Sequence, residues 1–217
     1  AGDLVLTITD PSNSQNNGQI VVKSGYTSSA NAIEAIEFTA DSSGASNLNA
    51  AAILSAAIGM YGTEDNDVIN GTSLADSLYG GSGNDTLNGG NGDDIYVFGF
   101  ESGQDIVNNY NSSTSSIDIA RFDDVSIEDL WFSRDGNNLQ INVIGTTDQV
   151  DVSNWYSGVN YQLDKIHVGD SVLLNTQVEL LVSAMASFEV PSGVGSIVSQ
   201  DIQDSLKPVL VENWHTF

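Results

Sequence analysis

Between residues 62 and 97 the chain repeats itself every nine residues, and this period restricts its fold more than any other feature. In register, the repeats begin at Gly62, Gly71, Gly80 and Gly89. The sixth position is an aspartate in all four: Asp67, Asp76, Asp85 and Asp94. The eighth is a large apolar or aromatic residue: Ile69, Leu78, Leu87 and Tyr96. The repeats starting at Gly80 and Gly89 fit Gly-Gly-x-Gly-x-Asp-x-U-x in full, where U is large and apolar. The first two are degraded. Thr63 and Thr72 replace the second glycine, and Leu74-Ala75 replace the expected glycine and polar residue. A Gly/Asn/Asp linker or a series of hairpin turns is the plainer alternative. Neither would need an apolar residue at one phase throughout, whereas a solenoid does.

The pattern is that of a calcium-binding β-helix. Glycines let the first six residues turn sharply with carbonyls pointing inward. Calcium is a hard cation that takes ~6–8 oxygens, which carbonyls and carboxylates supply. The last three residues of each repeat form a short strand whose eighth position points inward. The expected fold class is all-β: a short parallel β-roll with β-rich flanking and capping segments and one or two short helices. Two repeats complete one coil, so each turn stacks on the next but one. One ion is expected between the turns carrying Asp67 and Asp85, and another between those carrying Asp76 and Asp94. The candidate ligand set contains these four carboxylates and the arcs before them: Gly62, Glu64 and Asp65; Gly71 and Ser73; Gly80, Ser82, Gly83 and Asn84; Gly89, Asn91, Gly92 and Asp93. Glu64, Asp65 and Asp93 are either extra ligands or solvated charge, with Glu64 read as solvated. A degenerate fifth turn, Gly103-Gln104-Asp105-Ile106-Val107, adds Asp105. An EF-hand is excluded, because no twelve-residue loop with a closing Glu is present.

Charge supports a cation requirement. The chain has 29 acidic and 5 basic residues, a formal net charge of −24, and no Lys or Arg between Lys23 and Arg121. Such a chain repels itself when compact. Nothing in it would neutralise nucleic-acid phosphates or seek anionic lipid, so neither is an expected partner. There is no cysteine, which excludes disulfides and thiolate metal sites. No apolar run reaches the ~18 residues of a membrane span. Ala1-Gly2-Asp3 carries no signal-peptide pattern, and the chain reads as a piece cut from something longer.

Outside the repeats, residues 1–60 alternate as strands at Leu4, Leu6, Ile8, at Ile20, Val22, and at Ile33, Ile36, Phe38, before a predicted helix over 50–58 capped by Asn49. Alternation returns at Leu130, Phe132, at Leu139, Ile141, Val143, and at Val150, Val152. A second helix is predicted over 177–188, with Val178, Leu181, Val182 and Met185 on one face and Thr176 with Glu179 as a capping box. Leu4-x-Leu6-x-Ile8 matches Leu139-x-Ile141-x-Val143, and Ile20-x-Val22 matches Val150-x-Val152, which suggests an internal duplication. The expected division is 1–60 as the flank of a preceding block, 61–108 as the roll, 109–188 as the capping segment and 189–217 as a tail. In that tail Ile202, Leu206 and Val209 share one side, and Pro208 is expected to limit any helix. His167 and His215 are not at metal-ligand spacing. Hydrolase, metalloprotease and P-loop motifs are absent, and no enzyme is expected.

The nonapeptides resemble those of the RTX (repeats-in-toxin) family of bacterial proteins. Asp94-Ile-Tyr96-Val-Phe98-Gly99, Asp129-Leu-Trp131-Phe and Asn154-Trp155-Tyr156 are similar to the end of a repeat block and its flank in that family. The resemblance implies a secreted or cell-surface protein, calcium as the cofactor and the type I secretion machinery as a partner. It implies folding on meeting external calcium and an uncleaved signal within roughly the last 50 residues. Trp131 and Trp155 are expected as packing anchors of the cap. Two other readings stay open: a calcium-stabilised adhesin that binds a host surface or glycan, in which the same tryptophans would form a sugar platform, and the non-catalytic tail of a secreted hydrolase.

Overall fold

The computed structural model describes three strands near the start, 4–8, 18–23 and 35–38, and residues 60–216 apart from 114 and 192. The chain divides into two compact units, Ala1–Ile53 and Leu54–Phe217. In the first, β1 (Leu4–Ile8), β2 (Gly18–Lys23) and β3 (Ala35–Phe38) form an antiparallel sheet in that order. The helix expected over 50–58 lies outside the described residues.

The second unit is a roll of two facing parallel ladders. One carries β4 (Met60–Tyr61), β6 (Ser77–Tyr79), β8 (Ile95–Phe98), β10 (Ile119–Phe122) and β14 (Lys165–Val168). The other carries β5 (Val68–Asn70), β7 (Thr86–Asn88), β9 (Gln104–Asn108) and β13 (Gln149–Val152). Alternate repeats therefore stack, as the nine-residue period requires: Ile69 pairs with Leu87, and Leu78 with Tyr96. Leu78, Tyr96, Ala120 and Ile166 make one interior column, and Leu87, Val107 and Val152 face it from the other ladder.

Parallel pairing does not stop at residue 108. β10 and β14 continue one ladder and β13 the other, so the segment expected as a separate cap shares the roll's sheets. The capping residues join as two antiparallel extensions. β11 (Leu130–Asp135) and β12 (Asn138–Val143) fold onto β13, while β15 (Ser171–Leu174) and β16 (His215–Thr216) fold onto β14. Both tight hairpins place a glycine first in a two-residue turn, Gly136 at φ 57° and Gly169 at φ 55°, where a side chain would be strained. The β12–β13 register, Leu139 with Val152 and Ile141 with Val150, repeats that of β1–β2, Leu4 with Val22 and Leu6 with Ile20. The likeness ends there, since β3 pairs with β2 whereas β14 joins the opposite ladder from β13.

Two helices close the unit. The first, α1 (Asn175–Met185), starts two residues before the predicted position. Its first turn is closed by Gln177, whose Oε1 accepts the Leu174 N–H at 3.1 Å, and not by the expected Thr176–Glu179 pair. Its buried face is Val178, Leu181, Val182 and Met185, as the spacing predicts. The second, α2 (Gln200–Asn213), runs straight through Pro208, contrary to expectation. An interior proline costs ~3 kcal/mol; burial of Leu206 and Leu210 on either side offsets it. Trp131 and Trp155 are 1% and 3% exposed, so both serve as the expected packing anchors, and the alternative of a sugar platform is not available.

Leu87 is fully buried at the centre of the roll. In saturating calcium, Leu87→Ala should lower unfolding free energy by about 2–5 kcal/mol. Leu180→Ala, on the exposed side of α1, should change it by less than about 0.5 kcal/mol. Chemical denaturation of the two variants checks both values.

Candidate metal centre

Each repeat's aspartate sits where the Gly-rich arc enters its strand, and the arc's curvature turns the carboxylate inward. The result is two columns of aspartates, one per ladder. The Asp67 N–H donates to Asp85 Oδ1 at 2.8 Å, and the Asp85 N–H to Asp105 Oδ1 at 3.0 Å. In the other column the Asp76 N–H donates to Asp94 Oδ1 and the Asp94 N–H to Asp118 Oδ1, both at 3.0 Å. The Asp118 N–H then donates to Asp164 Oδ2 at 2.9 Å. Asp76, Asp85, Asp94, Asp105 and Asp118 are each no more than 2% exposed.

The second carboxylate oxygen separates degraded repeats from full ones. Asp67 Oδ2 accepts the Thr63 N–H and Oγ1–H at 2.6 and 2.8 Å. Asp76 Oδ2 does the same with Thr72, at 2.6 and 2.9 Å. The full repeats have glycine at this position, with Gly81 at φ 96° and Gly90 at φ 95°, so the arc runs differently. There Asp85 Oδ2 and Asp94 Oδ2 are buried without a hydrogen-bond partner among the described residues. A buried, unpaired carboxylate oxygen is costly unless a cation takes it.

The surroundings fit a hard cation. A side chain on Gly81 or Gly90 would collide with the carbonyl oxygens of Thr63 or Thr72, and one on Gly62 or Gly71 with those of Gly80 or Gly89. Side chains on Gly83 and Gly92 would press on the Asp65 and Leu74 carbonyls. The glycines thus line a cradle of main-chain oxygens beside the carboxylates, the donor set calcium prefers. Among the described residues no three His, Cys, Asp or Glu side chains converge, so a cation here is held mainly by backbone.

Other expected ligands turn outward. Glu64, Asp65, Ser73, Ser82, Asn84, Asn91 and Asp93 are exposed. Three of them tie neighbouring coils together: Asn84 Oδ1 accepts the Gln104 N–H, Asn91 Oδ1 the Ser112 N–H, and Asp93 Oδ1 the Ile117 N–H. The nine-residue phase missed Asp118, Asp164 and Asp148. Asp148 accepts the N–H groups of Glu101 and Gly103 and so closes the top of the fifth turn. A signal for them existed: Asp105, Asp118, Asp148 and Asp164 each stand two residues before an inward apolar residue, at irregular spacing. His167 is half-buried, and its Nε2 has no partner among the described residues.

The comparisons agree with this geometry. Residues 61–96 match the RTX calcium-binding nonapeptide repeat in four copies. Residues 138–177 match the haemolysin-type calcium binding protein related domain. The chain therefore carries RTX repeats of the haemolysin type on a roll of the expected class, and calcium is their cofactor. Over 85 residues it is 39% identical to the iron-regulated protein FrpA of Neisseria meningitidis serogroup C, covering 37% of this chain and 8% of FrpA. No described helix is long and apolar enough to cross a membrane.

Burial, reinforced by neighbouring carboxylates, lifts the acids of Asp94 and Asp105 from 3.8 to about 7. The folded pKa thus exceeds the unfolded one, so this contribution to the metal-free fold is complete below pH ~4 and is lost as pH rises through ~7. Calcium competes with those protons. In chelator, residual structure should fall as pH rises from about 4 to 8, while the calcium midpoint for folding should fall over the upper part of that range. Circular dichroism titrations at several pH values check both trends.

Proposed function

We propose that this chain is a calcium-dependent folding and type I secretion module of a larger secreted RTX protein. The observation that carries the reading is the pair of buried, unpartnered oxygens Asp85 Oδ2 and Asp94 Oδ2 facing a glycine-lined cradle. The ligands we assign are the carboxylates of Asp67, Asp76, Asp85, Asp94 and Asp105, with main-chain oxygens of the arcs beginning at Gly62, Gly71, Gly80 and Gly89. Calcium supplies positive charge at the centre of a chain of net charge −24. The protein's own part is to present oxygens at fixed spacing and to pack Leu78, Leu87, Tyr96 and Val107 behind them.

In this reading the chain stays expanded where calcium is scarce, which suits passage through a secretion channel. It closes where calcium approaches about 1 mM, the range of weak extracellular sites. Binding to the folded state alone shifts the equilibrium by mass action. Residues 61–108 carry the repeat coils, 109–188 continue their two ladders and cap them, 189–217 act as the tail bearing the secretion signal, and 1–60 as the flank of a preceding block. The module is non-catalytic, and the activity of the whole protein belongs to sequence beyond it. The short share of FrpA that this chain matches supports that arrangement.

Circular dichroism should show disorder in the 61–217 region in chelator and β-structure with calcium. A chain fully folded in chelator overturns the reading. Asp85→Ala should raise the calcium midpoint by at least about tenfold, and an unchanged titration removes Asp85 from the ligand set.

A further inference from the structure

One level of the roll is closed by side chains where the level before it is closed by backbone and carboxylate oxygens. Asp94 and Asp118 meet across adjacent coils as Asp76 and Asp94 do, with the same N–H to Oδ1 bond at 3.0 Å. The arcs differ. Residues 109–118 contain no glycine and are rich in Asn and Ser. The Asn111 Nδ2–H donates to the Gly92 carbonyl at 2.7 Å, and the Asn109 Nδ2–H donates to Asp118 Oδ2 at 3.1 Å. Between them, the Tyr96 hydroxyl accepts the Gly89 N–H at 3.0 Å and donates to Asn109 Oδ1 at 2.9 Å. Asn109 and Asn111 are 1% and 4% exposed, and Tyr96 is fully buried.

The substitution is local and specific. At the preceding level the space above Gly71 is bounded by the Gly89 carbonyl oxygen; above Gly89 it is bounded by the Tyr96 hydroxyl. Amide N–H groups satisfy the Gly92 carbonyl and Asp118 Oδ2 as a cation would and present a cation with the positive ends of dipoles, so Asp94 Oδ2, which keeps no partner, is left to the ion of the preceding level.

We propose that Asn109, Asn111 and Tyr96 form a plug that replaces an ion at this level. The ion column on the β6–β8–β10 ladder then ends at Asp76 and Asp94. Once repeat four is in place the plug supplies its own donors, so the coil ending in β10 needs no ion of its own at this level. This rests on the calcium reading of the repeats.

Native mass spectrometry of the whole chain in calcium tests it by ion count. Asp118→Asn should leave the wild-type count unchanged, while Asp94→Asn should lower it. Loss of one ion in Asp118→Asn overturns the plug. Where Asp118→Asn does not fold, Asn111→Asp decides: it exchanges the donor on the Gly92 carbonyl for a carboxylate, and one additional ion is expected. An unchanged count in folded Asn111→Asp, read with near-ultraviolet circular dichroism of the buried tryptophans, also overturns the plug. A wild-type chain holding no ion at all overturns the calcium reading itself, a result distinct from either.

Discussion

Inside the roll, every repeat aspartate lends its main-chain N–H to the carboxylate one coil further on, and this ladder fixes both the shape and the ion requirement. Adjacent coils are ~4.8 Å apart. At that distance two carboxylates repel by roughly 3–4 kcal/mol at an effective dielectric of about 20. The N–H bonds between coils offset part of this, as the bonds at Asp85 and Asp94 do by drawing their acids down against burial. They do not offset all of it, because Asp94 and Asp105 remain raised to about 7. The column is stable either with protons on it or with a cation beside it. As pH rises through about 7 the protons leave, and the cation is then the alternative that remains.

The repeats made much of this legible. Asp at position six and an apolar residue at position eight are enough to place Asp67 over Asp85, Ile69 over Leu87 and Leu78 over Tyr96, because a parallel coil has one interior phase. What the period hid is how far the coil continues. Interior aspartates follow one another at 18 residues through Asp85 and Asp94, then at 20 to Asp105, 24 to Asp118 and 46 to Asp164. The ladder tolerates this because only the strand and its aspartate need to be in register; the connecting arc is free to lengthen. A reading tied to fixed spacing loses the coil where the arcs lengthen, although Asp118-Ile119-Ala120 and Asp164-Lys165-Ile166 still carry its strand signature.

Other misses have a different origin. Local rules misplace the effect of Pro208 and the start of α1, because in both places tertiary burial prevails. Leu206 and Leu210 carry α2 past a missing hydrogen bond, and Val178 and Leu181 fix where α1 sits. The outward turn of Asn84, Asn91 and Asp93 could not be read from composition, since an arc of six residues alternates inside and outside and its polar residues fit either side.

The order of the repeats then acquires a physical meaning. The two full repeats, with their unpartnered carboxylate oxygens, stand next to the coils that continue into β10, β13 and β14. The two degraded repeats, whose Thr63 and Thr72 already take Asp67 Oδ2 and Asp76 Oδ2, stand further away, and there Asp76 Oδ1 alone is buried without a partner among the described residues. In a solenoid each turn is stabilised by its neighbours, so a turn next to a formed coil needs less from its ligand. At the inward phase Ile69, in the first repeat, is only partly buried, while Leu78, Leu87, Tyr96 and Val107 are fully buried. The greatest demand for a cation thus falls where the template for it is firmest, and the turns that need a cation least lie where the template is weakest. Growth from the β10–β14 end toward Gly62 is the direction in which each added turn finds its neighbour already in place.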